Sequence, residues 1–214
     1  MKILNSIRKP FRYDFYNATL IIIGINIGIF ILGHVWRNLN NYLALNVILI
    51  VQGKMYWQFL TYMFAHGGFQ HLFFNMLGLL IFGVSVERVI GSKEFILFYL
   101  VSGVFCGLIS FLTYYFTGMN FVFLLGASGG LYAILLAYAV LFPQNQVFIW
   151  GIIPIPAPIL VLIYAIIEFV SQFFNVSSNI AHMTHLAGFV GAWLYFLVRL
   201  GVNPLRVWKN AFRS

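Results

Sequence analysis

Charge is what this sequence has least of. Only 7% of its 214 residues are charged, and four of them are acidic. A soluble globular domain carries about a quarter charged residues, so a water-facing surface cannot be assembled from this chain. With 62% hydrophobic residues and a mean hydropathy of +0.95, the composition is that of a polytopic membrane protein whose main solvent is lipid. Cysteine is nearly absent as well. The single Cys106 lies in an apolar run; it excludes an intrachain disulfide, offers no cysteine metal cluster, and reads as a small buried hydrophobe. Internal repeats, low-complexity tracts and long linkers are also missing, so residues 1–214 read as one membrane domain. The net charge of +8 raises the question of nucleic acid. With so few charges their placement decides the matter, and they follow topology instead.

What is present is a series of apolar runs. A helix needs about 20 residues at 1.5 Å rise to cross a ~30 Å hydrocarbon core. Residues 18–36, 67–86, 95–116 and 180–200 meet this outright. Residues 157–174 form a further span entered through "IIPIPAP", with Pro158 suited to a first helical turn, and 128–142 form the sixth. The basic segment 1–17 runs into the first span without a small-residue cleavage site, so that span reads as uncleaved. Six spans place both termini and two connections on one side. That side collects Lys2, Arg8, Lys9, Arg12, Arg88, Lys93, Arg199, Arg206, Lys209 and Arg213, leaving only Arg37 and Lys54 opposite. By the positive-inside rule the termini, including the basic tail 201–214, are cytoplasmic. His66, His71, Asn75, Ser128, His182 and His185 then all lie near the outer face, on three different spans.

The stretch "GASGGLYAILLAYAVLFP", from Gly126 to Pro143, is too short to cross: Ser128 to Phe142 is about 22 Å of helix. If the polar run from Pro143 to Gln146 marks the inner interface, Ser128 lies below the outer one. A hydroxyl at that depth must be buried in protein or line a water-filled cavity, so a cavity opening outward is expected. Gly126, Gly129 and Gly130 permit close backbone approach, and Gly130, Ala133 and Ala137 form a small-residue stripe. Gly188 and Ala192 follow His185 on its own face. Two such smooth helices can bring Ser128 and His185 within hydrogen-bond reach, the first requirement of a serine nucleophile with its base. The Ser128 N–H at the helix start could face an oxyanion, with His71 and Asn75, at i and i+4, as further donors. Tyr132, one turn below Ser128, could pack under the imidazole and hold its orientation. No aspartate is placed to do so: Asp14, Glu87 and Glu94 belong to the inner side, and Glu168 on the fifth span is left without a role. A Ser–His dyad is the expected unit.

On these residues the chain resembles the rhomboid family of intramembrane serine proteases. "HGGFQHLFFN" (66–75), "GASG" (126–129), "HLAG" (185–188) and "VERVIG" (86–91) are similar to that family's motifs, in order and on the expected helices, and the likeness covers Trp57 to about Ala192. Gln58, where the family commonly has arginine, and Ala192, where it usually has glycine, depart from the pattern. The resemblance implies six helices around a short central fourth one, and hydrolysis of a peptide bond in or beside a transmembrane segment of another protein. It implies Ser128 as nucleophile, His185 as base and then acid, and His71 and Asn75 in the oxyanion hole. It also implies an outer interfacial loop at 37–65, a movable cap at 174–179, no cofactor, and residence in a membrane, here read as a bacterial cytoplasmic membrane.

Two other readings compete. A non-catalytic membrane chaperone could share the scaffold, although such relatives usually lose the serine or histidine that this chain keeps. A metal or haem protein could use His66, His71, His182 and His185, but it lacks an H-E-x-x-H motif and leaves the glycine-flanked Ser128 unexplained. In the protease reading His66 ties down the outer loop and His182 lines the mouth of the cavity.

Overall fold

Backbone that crosses lipid must satisfy its own hydrogen bonds, and the apolar runs of this chain do so as helices. The computed structural model describes residues 7–149, 151–174 and 182–213. α1 (Ala18–Val35) is followed by three short helices, α2 (Leu39–Leu43), α3 (Val47–Val51) and α4 (Gln58–Thr61), in the connection to α5 (Phe69–Ile90). Then come α6 (Ser92–Thr117), α7 (Ser128–Leu141), a hairpin of β1 (Gln146–Ile149) and β2 (Ile153–Pro156), α8 (Ala157–Phe174), α9 (His182–Leu200) and α10 (Pro204–Ala211). Among the described residues α1, α5, α6 and α9 are long and apolar enough to cross a membrane, whereas α7 and α8 are shorter apolar helices. The segment 175–181, which holds most of the expected cap, lies outside the described residues.

Two elements depart from an all-helical reading. β1 and β2 pair antiparallel, with Gln146 opposite Pro156 and Ile149 opposite Ile153. The β-branched and aromatic residues of "QVFI" and the extended preference of the Pro-x-Pro run favour strand over helix there. The C-terminal tail also contains a helix, because Asn203 accepts a hydrogen bond from the Arg206 amide and Pro204 occupies the first turn. Trp208 of α10 is buried, and its indole N–H donates to the Ala139 carbonyl at 2.9 Å, under the far end of α7.

α7 is the most small-residue-rich helix and packs against α5, α6, α8, α9 and α10. Gly129, Gly130, Ala133, Ala137 and Ala139 are all buried. Other helices keep exposed apolar faces, such as Leu20, Ile21, Ile25 and Ile31 on α1 and Ile159, Leu162, Ile166 and Ile167 on α8. Such surface suits a lipid surround.

Described residues near the two chain ends meet at one end of the bundle. Arg8 donates to the Val198 and Leu197 carbonyls, and Lys93 pairs with Asp14 at 3.0 Å. Arg199 holds Glu94 through Nε (2.9 Å) and Nη2 (2.7 Å), and the Tyr195 hydroxyl adds a third bond to that carboxylate at 2.5 Å. Glu87, fully buried, accepts from the Ala18 and Thr19 amides (2.6 and 2.8 Å), the Thr19 hydroxyl and Ser92. This carboxylate from α5 therefore caps the free N–H groups of α1.

At the opposite end the 37–65 connection is ordered by neutral hydrogen bonds. Gln58, fully buried in the arginine position, accepts from the Asn46 amide at 3.1 Å and donates to the Tyr42 and Asn41 carbonyls. Asn46 reaches in turn to the Asn120 and Val122 carbonyls. Anchoring of this loop thus needs no charge.

Candidate active site

The loop leading to Ser128 is tied to the outer connection residue by residue. Leu45 and Leu124 exchange backbone hydrogen bonds at 2.8 and 2.9 Å, and the Gly126 amide donates to the Tyr62 carbonyl at 2.9 Å. Gly126 has φ +122°, a conformation open to glycine, and a Cβ there would lie 2.6 Å from the ring atoms Cε1 and Nε2 of His71. The imidazole of His71 therefore rests on the Gly126 backbone. The next amide, of Ala127, donates to His66 Nε2 at 3.5 Å. His66 is buried among these groups, with its ring 5.1 Å from that of His71, and burial followed by the neighbouring His71 pushes it down from 6.5 to about 4.

Ser128 is the first residue of α7, where backbone N–H groups have no intrahelical acceptor. His185 stands in the first turn of α9. The two helices touch through glycine: a Cβ on Gly188 would lie 2.4 Å from the Gly129 carbonyl oxygen. At this separation Ser128 Oγ and His185 Nε2 are 2.8 Å apart and hydrogen-bonded. Tyr132 lies flat against the imidazole, with ring centroids 4.2 Å apart and planes 6° from parallel.

One expectation is corrected. A carboxylate does stand behind the histidine: Glu168 Oε1 is 2.9 Å from His185 Nδ1 and also accepts from the Tyr132 hydroxyl. Its other oxygen, Oε2, is 2.6 Å from His182 Nδ1. His182 is accordingly buried against Glu168 and does not simply line the mouth of a cavity. Sequence reasoning left Glu168 unassigned because its place near the outer end of its span permits either reaching the interface or contact with the cavity. The available signal was an acid inside an apolar helix, which is stable only with partners.

On its other side Ser128 borders a cleft of about 300 Å³, lined also by Gln70, His71, Phe74, Asn75 and Leu131. His71 and Asn75 share a helix face and the cleft. The Asn75 amide donates to the His71 carbonyl at 2.8 Å, while its Oδ1 is buried and has no hydrogen-bond partner. The Nδ2 group has a second N–H to offer. Chemically the site combines a hydroxyl, a neighbouring imidazole, free amides at a helix start and an adjoining hollow. Among the described residues no group of three or more His, Cys, Asp or Glu is arranged to hold a metal ion.

Comparison with known proteins gives an independent finding. The family model "Rhomboid domain" matches residues 53–201. The chain is 29% identical to the YdcA protein of Bacillus subtilis over 141 residues, covering 65% of each. It is 30% identical to RHOMBOID-like protein 4 of Arabidopsis thaliana over 167 residues, 78% of this chain and 40% of that one. To the rhomboid protease GluP of Bacillus subtilis it is 30% identical over 145 residues, 68% of this chain and 26% of that one. The chain thus spans from about a quarter to just under two thirds of these relatives' own length.

Proposed function

Because this chain belongs to the rhomboid family, whose members are generally intramembrane serine proteases, we propose that it hydrolyses a peptide bond in or beside a transmembrane segment of another membrane protein. The observation that carries this reading is the 2.8 Å hydrogen bond between Ser128 Oγ and His185 Nε2 beside the cleft. In the proposed fold six helices span the membrane, α7 being the short central one, with cytoplasmic termini and a cleft opening outward. The basic residues around both termini support that orientation.

In the proposed reaction His185 Nε2 takes the Ser128 hydroxyl proton as Oγ bonds to the scissile carbonyl carbon. The resulting oxyanion is met by the Ser128 N–H, His71 and Asn75. His185 then returns the proton to the amide nitrogen, the C–N bond breaks, and the amine leaves an acyl group on Ser128. Water entering from the cleft gives a proton to His185 and its oxygen to the acyl carbon, and that proton goes back to Ser128 as the acid is released. The 37–65 connection, packed on the loop before Ser128, would lie at the outer interface.

The test is cleavage of a single-span reporter protein in proteoliposomes by wild type, Ser128→Ala and His185→Ala, with and without chelator. Loss of about 10³-fold or more in both variants, unaffected by chelator, is expected. Cleavage that survives Ser128→Ala, or stops with chelator, overturns the reading; a wild type that binds but never cleaves the reporter favours the chaperone.

A further inference from the structure

We propose that Glu168 is a positioning residue for catalysis, a buried carboxylate that completes a Ser128–His185–Glu168 relay and joins His182 and Tyr132 to it. The inference rests on the protease reading above and adds to it a member that no motif contains.

The geometry carries the assignment. An imidazole can serve as base at Nε2 only if its proton sits on Nδ1. His185 Nδ1 is 2.9 Å from Glu168 Oε1, an atom that can only accept, so this contact selects that tautomer and leaves Nε2 free toward the Ser128 hydroxyl at 2.8 Å. The carboxylate is itself fixed from three sides. Tyr132, whose ring lies flat on His185, donates its hydroxyl to the same Oε1, and His182 Nδ1 meets Oε2 at 2.6 Å. Glu168 is only 5% exposed, and three side chains present hydrogen-bonding groups to it. When Ser128 attacks, His185 gains a proton, and the buried anion then faces an imidazolium. The interaction is therefore stronger in the transition state than before it, which is what accelerates a reaction.

A packing role for Glu168, joining α8 to α9, is the competing account. It predicts lost stability but no change in how rate depends on pH. The titratable groups around the His185–Glu168 pair are His182 on α9, Tyr132 on α7, Tyr164 on α8, His71 on α5, and Cys106 of α6 against Gly129. None of the others is a carboxylate, so removing the Glu168 charge removes the one carboxylate that faces the imidazole.

The experiment compares wild type, Glu168→Gln, Glu168→Asp and Ser128→Ala in detergent, measuring folded fraction, kcat, KM and the pH profile for the reporter. For Glu168→Gln kcat is expected to fall by about 10²–10⁴-fold with KM within about threefold. The acid limb of kcat/KM is expected to move about one pH unit or more lower, because the charge that favours protonated imidazole is gone. Glu168→Asp recovers part of kcat and the wild-type limb. Should Glu168→Gln fail to fold, ¹⁵N–¹H spectra of wild type and Ser128→Ala decide: a strongly downfield His185 Nδ1–H resonance is expected, and a His185 protonated on Nε2 alone overturns the proposal. Folded Glu168→Gln with wild-type kcat and an unmoved limb, in an enzyme that Ser128→Ala inactivates, sinks this inference and leaves the protease reading standing. Cleavage by Ser128→Ala sinks both.

Discussion

Gly188→Ala should slow the proposed reaction more than any other single methyl added to this bundle away from the reacting groups. The added Cβ would stand 2.4 Å from the Gly129 carbonyl oxygen, 3.0 Å from Tyr132 Cβ and 3.2 Å from the Ala133 nitrogen. Two of these are backbone atoms of α7 and cannot swing aside. Ordinary contact requires α9 to withdraw by about 1 Å. His185 lies one turn away on the same face, so its 2.8 Å bond to Ser128 stretches beyond the usual N···O range. A misplacement of about 1 Å costs on the order of 10²-fold in rate, and forcing a methyl into packed helices costs about 1–3 kcal/mol of stability. The assays are reporter kcat/KM in proteoliposomes, the labelling rate with a fluorophosphonate, and thermal unfolding. Gly191→Ala is the comparison, since its Cβ would meet the Phe105 ring at 2.9 Å and a ring can turn. If Gly188→Ala keeps a rate within about threefold of wild type, or if both variants fall equally, contact between the two helices does not set the Ser128–His185 distance.

Two further outcomes follow from buried ionisable groups. His66 is lowered to about 4 in the fold against 6.5 when unfolded, so the fold excludes a proton that the unfolded chain binds between those values. Its contribution is intact above about pH 6.5 and is lost as pH falls toward 4, about 2 kcal/mol between pH 7 and 5. Unfolding of wild type and His66→Gln at those two pH values should show a smaller drop in the variant; equal drops would remove His66 from the account. Glu87→Gln replaces an acceptor-only group facing four donors with an amide that must present N–H to some of them. A loss of about 2–4 kcal/mol is expected, with α1 freed at its start, and limited proteolysis near residue 17 should detect it.

The spans were legible because lipid imposes one rule on every residue: an apolar run of sufficient length becomes a helix. α1, α5 and α6 begin and end within a few residues of the runs 18–36, 67–86 and 95–116. The hairpin and α10 were less legible because both lie outside the long runs, where local chemistry decides. The Asn203-Pro204-x-Arg206 cap of α10 is written in the sequence, yet in a basic tail it competes with the reading of a solvated charge cluster. Anchoring of the 37–65 connection was obscured for a different reason. Gln58 replaces a charged residue, and only the fold shows that its amide finds three backbone partners.

The site divides along the same line. Ser128 with Tyr132 on α7, and His185 with Gly188 on α9, are related by i+4 and i+3 spacing, and helical periodicity turns such spacings into shared faces. Glu168 relates to His182 and His185 across a connection between two helices, where sequence distance says nothing about rotation about either axis. What fixes that rotation is chemistry at the contact. An acid within an apolar helix must turn toward donors, and α9 presents two imidazoles one turn apart at the matching depth. The same requirement read in reverse accounts for both histidines. In the proposed reaction His185 alone suffices as a base, whereas Oε2, the carboxylate oxygen that neither His185 nor Tyr132 reaches, needs a donor of its own, and His182 supplies it.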